Sequence, residues 1–281
     1  HGKLVSFVAL LHHADNSHNL GRQQPLLLSA SLRSLGAAQG DGARSLTVVC
    51  WPRSACSQAE AISSISGPAV RSLRFRPSRT SNWVAAVEEA KLAFLRSMPD
   101  GEDAVWFETD MLFSCARPVH AVFAHVPKNA DMALLYRPAD GAFRLNTGLL
   151  LMRNRPAVRA LLERHVKRLL STQREVTGGE NQLLLASDGF GSIPYGSTHS
   201  NLNVTVFSIE YRVHVESDPY KHALQRALSI MLASKKCILH FNGWKTYKEL
   251  MLKVAERRGL ITPVMAVQRS VANSTLLGAG C

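Results

Sequence analysis

The sequence has no apolar run approaching the roughly 20 residues a membrane-crossing helix requires, so no such span is expected within these 281 residues. It also lacks paired-cysteine spacing. Cys50, Cys56, Cys115, Cys237 and Cys281 form no Cys-x-x-Cys pair and no zinc-ligand pattern, which argues against a structural zinc. A Cys50–Cys56 disulfide is left open by the spacing. Acidic residues are scarce, 21 Asp and Glu against 33 Lys and Arg, for a net charge of +12. Such an excess fits a polyanionic partner, whether a phosphate-rich donor, an acidic glycan, DNA or an anionic membrane, and fits a solvated basic surface equally well. No internal repeat is present.

What is there describes a folded globular protein, with 46% hydrophobic and 19% charged residues. The length suits one large α/β domain or two small ones and permits a substantial core. The chain opens at His1 almost directly on a strand-like segment, which suggests that a leader, anchor or stem lies outside these residues. Asn203-Val-Thr205 and Asn273-Ser-Thr275 are sequons that matter only in a secretory compartment.

Strands and helices alternate. The run Lys3–Leu11 reads as a central strand covered on both faces. Pro25 then leads into a helix over Leu26–Leu35, Ser45–Cys50 is a second strand, Ala59–Ser66 a helical patch, and Val70–Phe75 a third strand. Trp83, Val87, Ala90 and Phe94 trace one face of a helix ending near Leu95, with Ser81 or Asn82 placed to cap it. Ala133–Tyr136 and Gly148–Met152 look like strands. Asn154 is a predicted cap for a Pro156-initiated helix reaching about Leu170, its buried stripe Val158, Leu161, Leu162, Val166 and Leu169, with Arg159, Arg164, Lys167 and Arg168 mostly outside it. Asp218-Pro219 opens a helix to about Leu232, and Cys237–Phe241 is a last strand. The alternation predicts a parallel sheet with helices on its faces. After about Gly259 the Ala/Ser/Val-rich tail reads as a loose extension.

The short apolar strand Ala104–Phe107 delivers Glu108-Thr109-Asp110 to its carboxyl end, where open α/β sheets bind ligands. Two carboxylates one residue apart can converge on a divalent cation if the chain turns between them. Such triplets also commonly cap helices or face solvent. Here apolar residues flank the acids on both sides, Val105–Phe107 and Met111–Phe113. Buried carboxylates call for a cation or hydrogen-bonding partners.

Set beside the other polar segments in order, this motif resembles nucleotide-sugar glycosyltransferases of the GT-A fold, particularly the glycogenin-like family 8. Phe7–Leu11 through Asp15-Asn16, with Leu28–Leu35 following, is similar to that family's opening strand, donor-binding turn and first helix. Lys91 resembles its lysine that contacts nucleotide or diphosphate, and Trp106–Asp110 its Asp-x-Asp metal motif. Leu145-Asn146-Thr147-Gly148 through Met152 resembles its sugar-lining Asn-Ser/Thr-Gly strand, and Gly178–Gln182 its acidic-Gln element. Ile238–Gly243 followed by Lys245 resembles its His-Phe-x-Gly and Lys ending. The resemblance spans about residues 3 to 250. It implies an α/β, GT-A-type, Rossmann-like and mostly parallel sheet with helices on both faces, in a domain over 1–259 with 260–281 as a C-terminal extension.

The resemblance further implies a metal held by Glu108, Asp110 and His240, with Mn2+ expected and Mg2+ as the alternative. His240 taken alone is an ordinary core-edge histidine. Donor contacts fall on Ala9, Leu10, Asp15, Asn16, Lys91, Glu108, Thr109, Asn146, Thr147, Gly243 and Lys245, and catalytic roles on Asp110 and the stretch Glu180, Asn181, Gln182. Departures from the family pattern keep some roles open. Glu108 stands where Asp is usual and can reach ribose or water. Ser17 and His18 replace an aromatic. The shortened Gly243–Tyr247 ending makes Lys248 a rival to Lys245, and Glu180, Asn181 and Gln182 have no unique alignment.

The implied activity is transfer of a sugar from a UDP-sugar to a hydroxyl of a glycan, protein or small molecule, with retention. Two alternatives are a DNA-base-modifying glucosyltransferase and an inactive nucleotide- or glycan-binding module. A Golgi or secretory-lumen glycoprotein with its anchor removed is the expected setting, nuclear and cytoplasmic compartments staying open.

Overall fold

The computed structural model describes residues 5–12, 24–39, 46–66, 70–78, 83–136, 145–172, 181, 185, 187–188, 190, 193–194, 196–210, 215–216, 224–241 and 245–261. The strands are β1 (Val5–His12), β2 (Leu46–Trp51), β3 (Val70–Arg74), β4 (Asp103–Phe107), β5 (Met111–Phe113), β6 (Met132–Tyr136), β7 (Leu145–Arg153), β8 (Thr198–Asn201), β9 (Val204–Glu210), β10 (Val215–Glu216) and β11 (Ile238–His240). The helices are α1 (Gln24–Gln39), α2 (Arg53–Ser66), α3 (Trp83–Arg96), α4 (Pro118–Phe123), α5 (Pro156–Ser171), α6 (Leu224–Ala233) and α7 (Lys245–Arg257).

Eight strands form one sheet in the order β3-β2-β1-β4-β7-β6-β9-β8. The pairs β2–β3, β1–β2, β1–β4 and β6–β9 are parallel, whereas β7 runs against both of its neighbours and β8 runs against β9. The mostly parallel α/β sheet expected from the alternation is therefore present. Period-two alternation explains the double burial: Val105 and Phe107 pack on one face with Leu28 and Leu32 of α1 and Ala55 and Ala59 of α2. Ala104 and Trp106 point the other way, to Val87, Ala90 and Phe94 of α3 and Val158 and Leu161 of α5. A smaller sheet, β10-β11-β5, is backed by a third apolar cluster joining Leu27 of α1, Leu112, Leu239, Met231 of α6 and Leu250, Met251 and Val254 of α7.

Several boundaries differ from expectation. Helix α2 starts at Arg53, ahead of Ala59, and β7 starts at Leu145, ahead of Gly148. The residue capping α5 is Arg155, in extended backbone and without a side-chain cap bond. Asn154 instead gives its Nδ2 hydrogens to Met98 O and Pro99 O, at 2.8 and 3.0 Å, closing the turn after α3. The expected α5 stripe is buried and gains His165. On its outer side Arg159 pairs with Asp100 and Arg168 with Asp188. Strand β5, the β8–β9 hairpin, α4 and α7 were not legible as elements. The caps at Ser81 or Asn82, the Asp218-Pro219 start and nearly all of the C-terminal tail lie outside the described residues, although Leu260 and Ile261 join the third cluster.

Cys50–Cys56 and Cys115–Cys237 are both disulfides. The second joins β5 to β11 across 122 residues of chain. Closing so long a loop in the unfolded chain costs it entropy. Cys115→Ser with Cys237→Ser is therefore expected to lower unfolding free energy by about 2–5 kcal/mol in urea titration, with a smaller loss for the short Cys50–Cys56 loop.

Candidate active site

The chain leaves the large sheet at Phe107 and enters the small one at Met111, so Glu108, Thr109 and Asp110 form the turn between two sheets. Strand order reverses at β1 and β4, and ligands of open α/β sheets bind at the carboxyl ends of strands at such a point. Helix α1 supports the turn from below. Ser31 Oγ lies 2.6 Å from Met111 O and 2.9 Å from Thr109 O, one hydroxyl shared between two carbonyls. Phe113 N donates to Ser34 Oγ at 3.0 Å. On the β7 side, Glu108 N donates to Gly148 O at 2.8 Å.

Pairing of β11 with β5 brings in the imidazole. His240 is opposite Met111, and Phe241 N donates to Asp110 O at 2.9 Å. His240 Nε2 then lies 3.5 Å from Asp110 Oδ1 and 4.0 Å from Glu108 Oε2. One ligand atom from each of Glu108, Asp110 and His240 falls within 4.8 Å of the others. His240 and Asp110 are buried, while the Glu108 side chain keeps 34% of its exposure, so the cluster opens on the Glu108 side. Lys248, one turn into α7, places its Nζ on Asp110 Oδ2 and also donates to Phe241 O at 3.2 Å.

The electrostatics follow from this crowding. Burial pushes the Glu108 carboxyl above its ordinary value and the charge of Asp110 adds to the push, against the pull of His240, Lys91 and Lys248. Burial acts on Asp110 in the same direction, but Lys248 and His240 outweigh it and hold that carboxyl well below the usual range. Two oxygen donors and one imidazole, close together, mostly dry and open on one side, are a donor set that suits Mn2+ or Mg2+. Three protein ligands leave room for ligand atoms from a substrate.

Of the other expected site residues, Ala9 and Leu10 lie in β1, beyond its last pair with β4, Val8 with Trp106. Thr109 is in the turn itself. Asn146 and Thr147 are buried at the start of β7, where Asn146 Oδ1 accepts from Gly148 N at 3.0 Å. Lys91 is fully buried behind this strand, with its ammonium on Glu88 Oε1 and Thr147 O. Asn181 is also buried, between Glu88 and His165. Lys245 begins α7, and its side chain is outside the described residues, as are Asp15, Asn16, Glu180, Gln182 and Gly243. Sequence reasoning missed Ser31, Ser34 and Glu88. Their only local signal was a polar residue recurring within an otherwise apolar helix.

Gly148 has a positional reason. A Cβ built there would come 2.8 Å from Glu108 Oε2 and 2.9 Å from its Cδ, closer than real contacts allow. Gly148→Ala is expected to displace the Glu108 carboxylate and weaken Mn2+ binding in a calorimetric titration by about tenfold, the equivalent of roughly 1.4 kcal/mol, while the protein stays folded by circular dichroism.

No known protein family and no curated protein matches the chain by sequence. Solved structures do match. The glycosyltransferase GlyE of Streptococcus pneumoniae superposes with a TM-score of 0.55 at 12% identity, over 97% of this chain and 64% of that one. The chain thus spans less than two thirds of GlyE. The galactosyltransferase LgtC, solved with donor and acceptor sugar analogs, gives 0.55 at 13% identity over 91% of this chain and all, 100%, of that one. A glycosyltransferase involved in glycosylating the major capsid of PBCV-1 gives 0.50 at 11% identity, over 88% and 98%. The chain has the GT-A, Rossmann-like fold that these glycosyltransferases share.

Proposed function

We propose that the protein is a metal-dependent glycosyltransferase that moves a sugar from a UDP-sugar to a hydroxyl acceptor with retention of configuration. The observation that carries this reading is the convergence of Glu108, Asp110 and His240 at the carboxyl end of β4, in the fold of sugar-nucleotide transferases. Glu108, Asp110 and His240 would hold a divalent cation, Mn2+ with Mg2+ as the alternative, whose chemistry is to neutralise charge on a departing diphosphate.

The chain's own residues do the rest. Asp110 serves as a ligand and not as a proton donor, because Lys248 and His240 keep it ionised. The Lys248 ammonium stands at the same point as the carboxylates, placed to offset negative charge on the leaving group, with Lys245 its neighbour on α7. By the resemblance, Asn146 and Thr147 are assigned to the sugar and Ala9, Leu10, Asp15 and Asn16 to the nucleotide. By the resemblance, Glu180 and Gln182 are assigned to the transferred sugar, and Lys91 and Asn181, buried in the core, to the support of that side. Retention asks for no strong base at the acceptor.

A secretory compartment is the setting we propose, with the Golgi as its finer form. Two disulfides suit an oxidising lumen. The Asn203 sequon sits at the tip of the β8–β9 hairpin, exposed and at φ 62°, a conformation Asn tolerates. No helix among the described residues is long and apolar enough to cross a membrane.

Two measurements test these readings. Hydrolysis of a panel of nucleotide sugars with Mn2+, Mg2+ or EDTA is expected to give Mn2+-dependent UDP release from one donor, lost by at least about a hundredfold in folded Asp110→Ala and His240→Ala variants. Donor binding without turnover would favour the inactive module instead. For the compartment, the chain secreted from a glycosylating host is expected to carry an Asn203 glycan, seen as heavy-oxygen aspartate at that position after enzymatic deglycosylation in labelled water and absent in Thr205→Ala.

A further inference from the structure

Behind the acidic cluster runs a buried polar chain that includes Lys91 and Asn181. It begins at an irregularity in β7. The β6–β7 register jumps from Leu134 opposite Leu150 to Leu135 opposite Asn146, so Thr147, Gly148 and Leu149 face a single step of the partner strand. A bulge of this kind takes backbone groups out of the ladder, and a buried carbonyl needs a donor from elsewhere.

For Thr147 O the donor comes from α3, as Lys91 Nζ at 3.3 Å. Lys91 is 0% exposed, and its ammonium also sits 2.8 Å from Glu88 Oε1 and 5.4 Å from the centre of the Trp106 ring. Glu88 Oε1 accepts a second bond, from Asn181 Nδ2 at 2.9 Å. Asn181 Oδ1 in turn lies 2.6 Å from His165 Nε2 on α5. An amide oxygen only accepts, so this imidazole nitrogen carries the proton. All four side chains are more than nine-tenths buried. Burial would lift the Glu88 carboxyl, but Lys91 and His165 overcome it, and Glu88 stays below its ordinary value as a charged partner.

The bulge held in this way is the floor of the cation site. Gly148 O accepts from Glu108 N, and the Glu108 carboxylate fills the space a Cβ on Gly148 would take. A shift of Thr147 therefore moves the surface on which Glu108 rests. We propose that Lys91, oriented by Glu88, Asn181 and His165, is a positioning residue that pins the Thr147–Leu149 bulge, and that the pinned bulge sets the place of the Glu108 carboxylate. Asn181 is thereby tied to the same point. What this positioning serves rests on the transferase reading above. The pinning itself does not.

The experiment must separate positioning from mere stabilisation by a buried ion pair. Glu88→Gln with Lys91→Met removes both charges together. Replacing a buried pair by neutral groups of similar volume is often neutral for stability, yet Thr147 O loses its donor. The double variant is expected to unfold close to the parent, to bind Mn2+ about tenfold more weakly in an electron paramagnetic resonance titration without donor, and to exchange the amides of Thr147–Leu150 faster. Parental Mn2+ affinity in the folded double variant would overturn the proposal, whether or not β7 exchange had quickened, because the bulge would then not place Glu108.

Should the double variant fail to fold, His165→Leu and His165→Gln take its place. The first is expected to loosen β7 and weaken Mn2+ binding, and the second, which keeps a donor, to restore both. Equal behaviour of the two would sink the idea. If the parent binds Mn2+ but turns over no donor, the transferase reading fails and both readouts stand. If the parent binds no Mn2+, the cation reading fails as well, and β7 exchange alone decides the pinning.

Discussion

The site depends on one short antiparallel pairing, β5 against β11. Each strand is only three residues long, and alone such a pairing has little stability in water. Here it is fastened three times over. The Cys115–Cys237 disulfide lies just past the end of β5 and just before the start of β11, and Ser114 N donates to Cys237 O at 2.9 Å. The serines of α1 hold the β5 backbone from below. Leu112, Leu239 and Phe241 bury against α6 and α7. These devices convert a contact between distant parts of the chain into a fixed register, and the register places His240 beside Asp110.

The second constraint is electrostatic. Two carboxylates brought together in a largely dry turn repel each other and lose hydration, so the cluster persists only where cations and donors surround it. The protein supplies them from three directions: His240 from β11, Lys248 from α7, and Lys91 at longer range from α3. Lys91 is itself buried and needs Glu88, which needs Asn181. The polar side chains behind the site thus form a second layer in which each member answers a cost raised by the one before. Close approach of strand to carboxylate at Gly148, where no side chain fits, joins the two layers.

Legibility in the sequence tracked how local each signal was. Strands β1, β2, β4 and β6 could be read because they are nearly continuous apolar runs between turn residues, whereas the half-exposed edge strand β3 offers only Val70 and Leu73 as apolar residues. The apolar α5 stripe was readable from its periodicity, but the buried His165 that joins it was not. The polar β8 carries no such pattern because it is held by pairing with β9, and the three buried residues of β5 and the short α4 are too brief to show a period. Asn154 satisfied every local criterion for a cap, yet its amide closes the turn after α3 and leaves Arg155 at the helix start. At the site, Glu108 and Asp110 stood out because they interrupt an apolar run. His240 stood out only through resemblance. Between Lys245 and Lys248 spacing gave no decision; helical geometry turns Lys248 onto Asp110, and the side chain of Lys245 lies outside the described residues.

The sequence by itself determined the alternating α/β architecture, the acidic turn at the end of β4 and the basic charge of the chain, because these follow from composition and from periods of two and 3.6 residues within short windows. Only the tertiary structure decided which imidazole and which amine meet the carboxylates, that Cys115 pairs with Cys237, and that Lys91 turns inward to a strand carbonyl. Those outcomes depend on pairings across 56 to 138 residues of chain and on how a few buried polar groups share donors. A linear pattern does not encode such choices until packing brings the groups together.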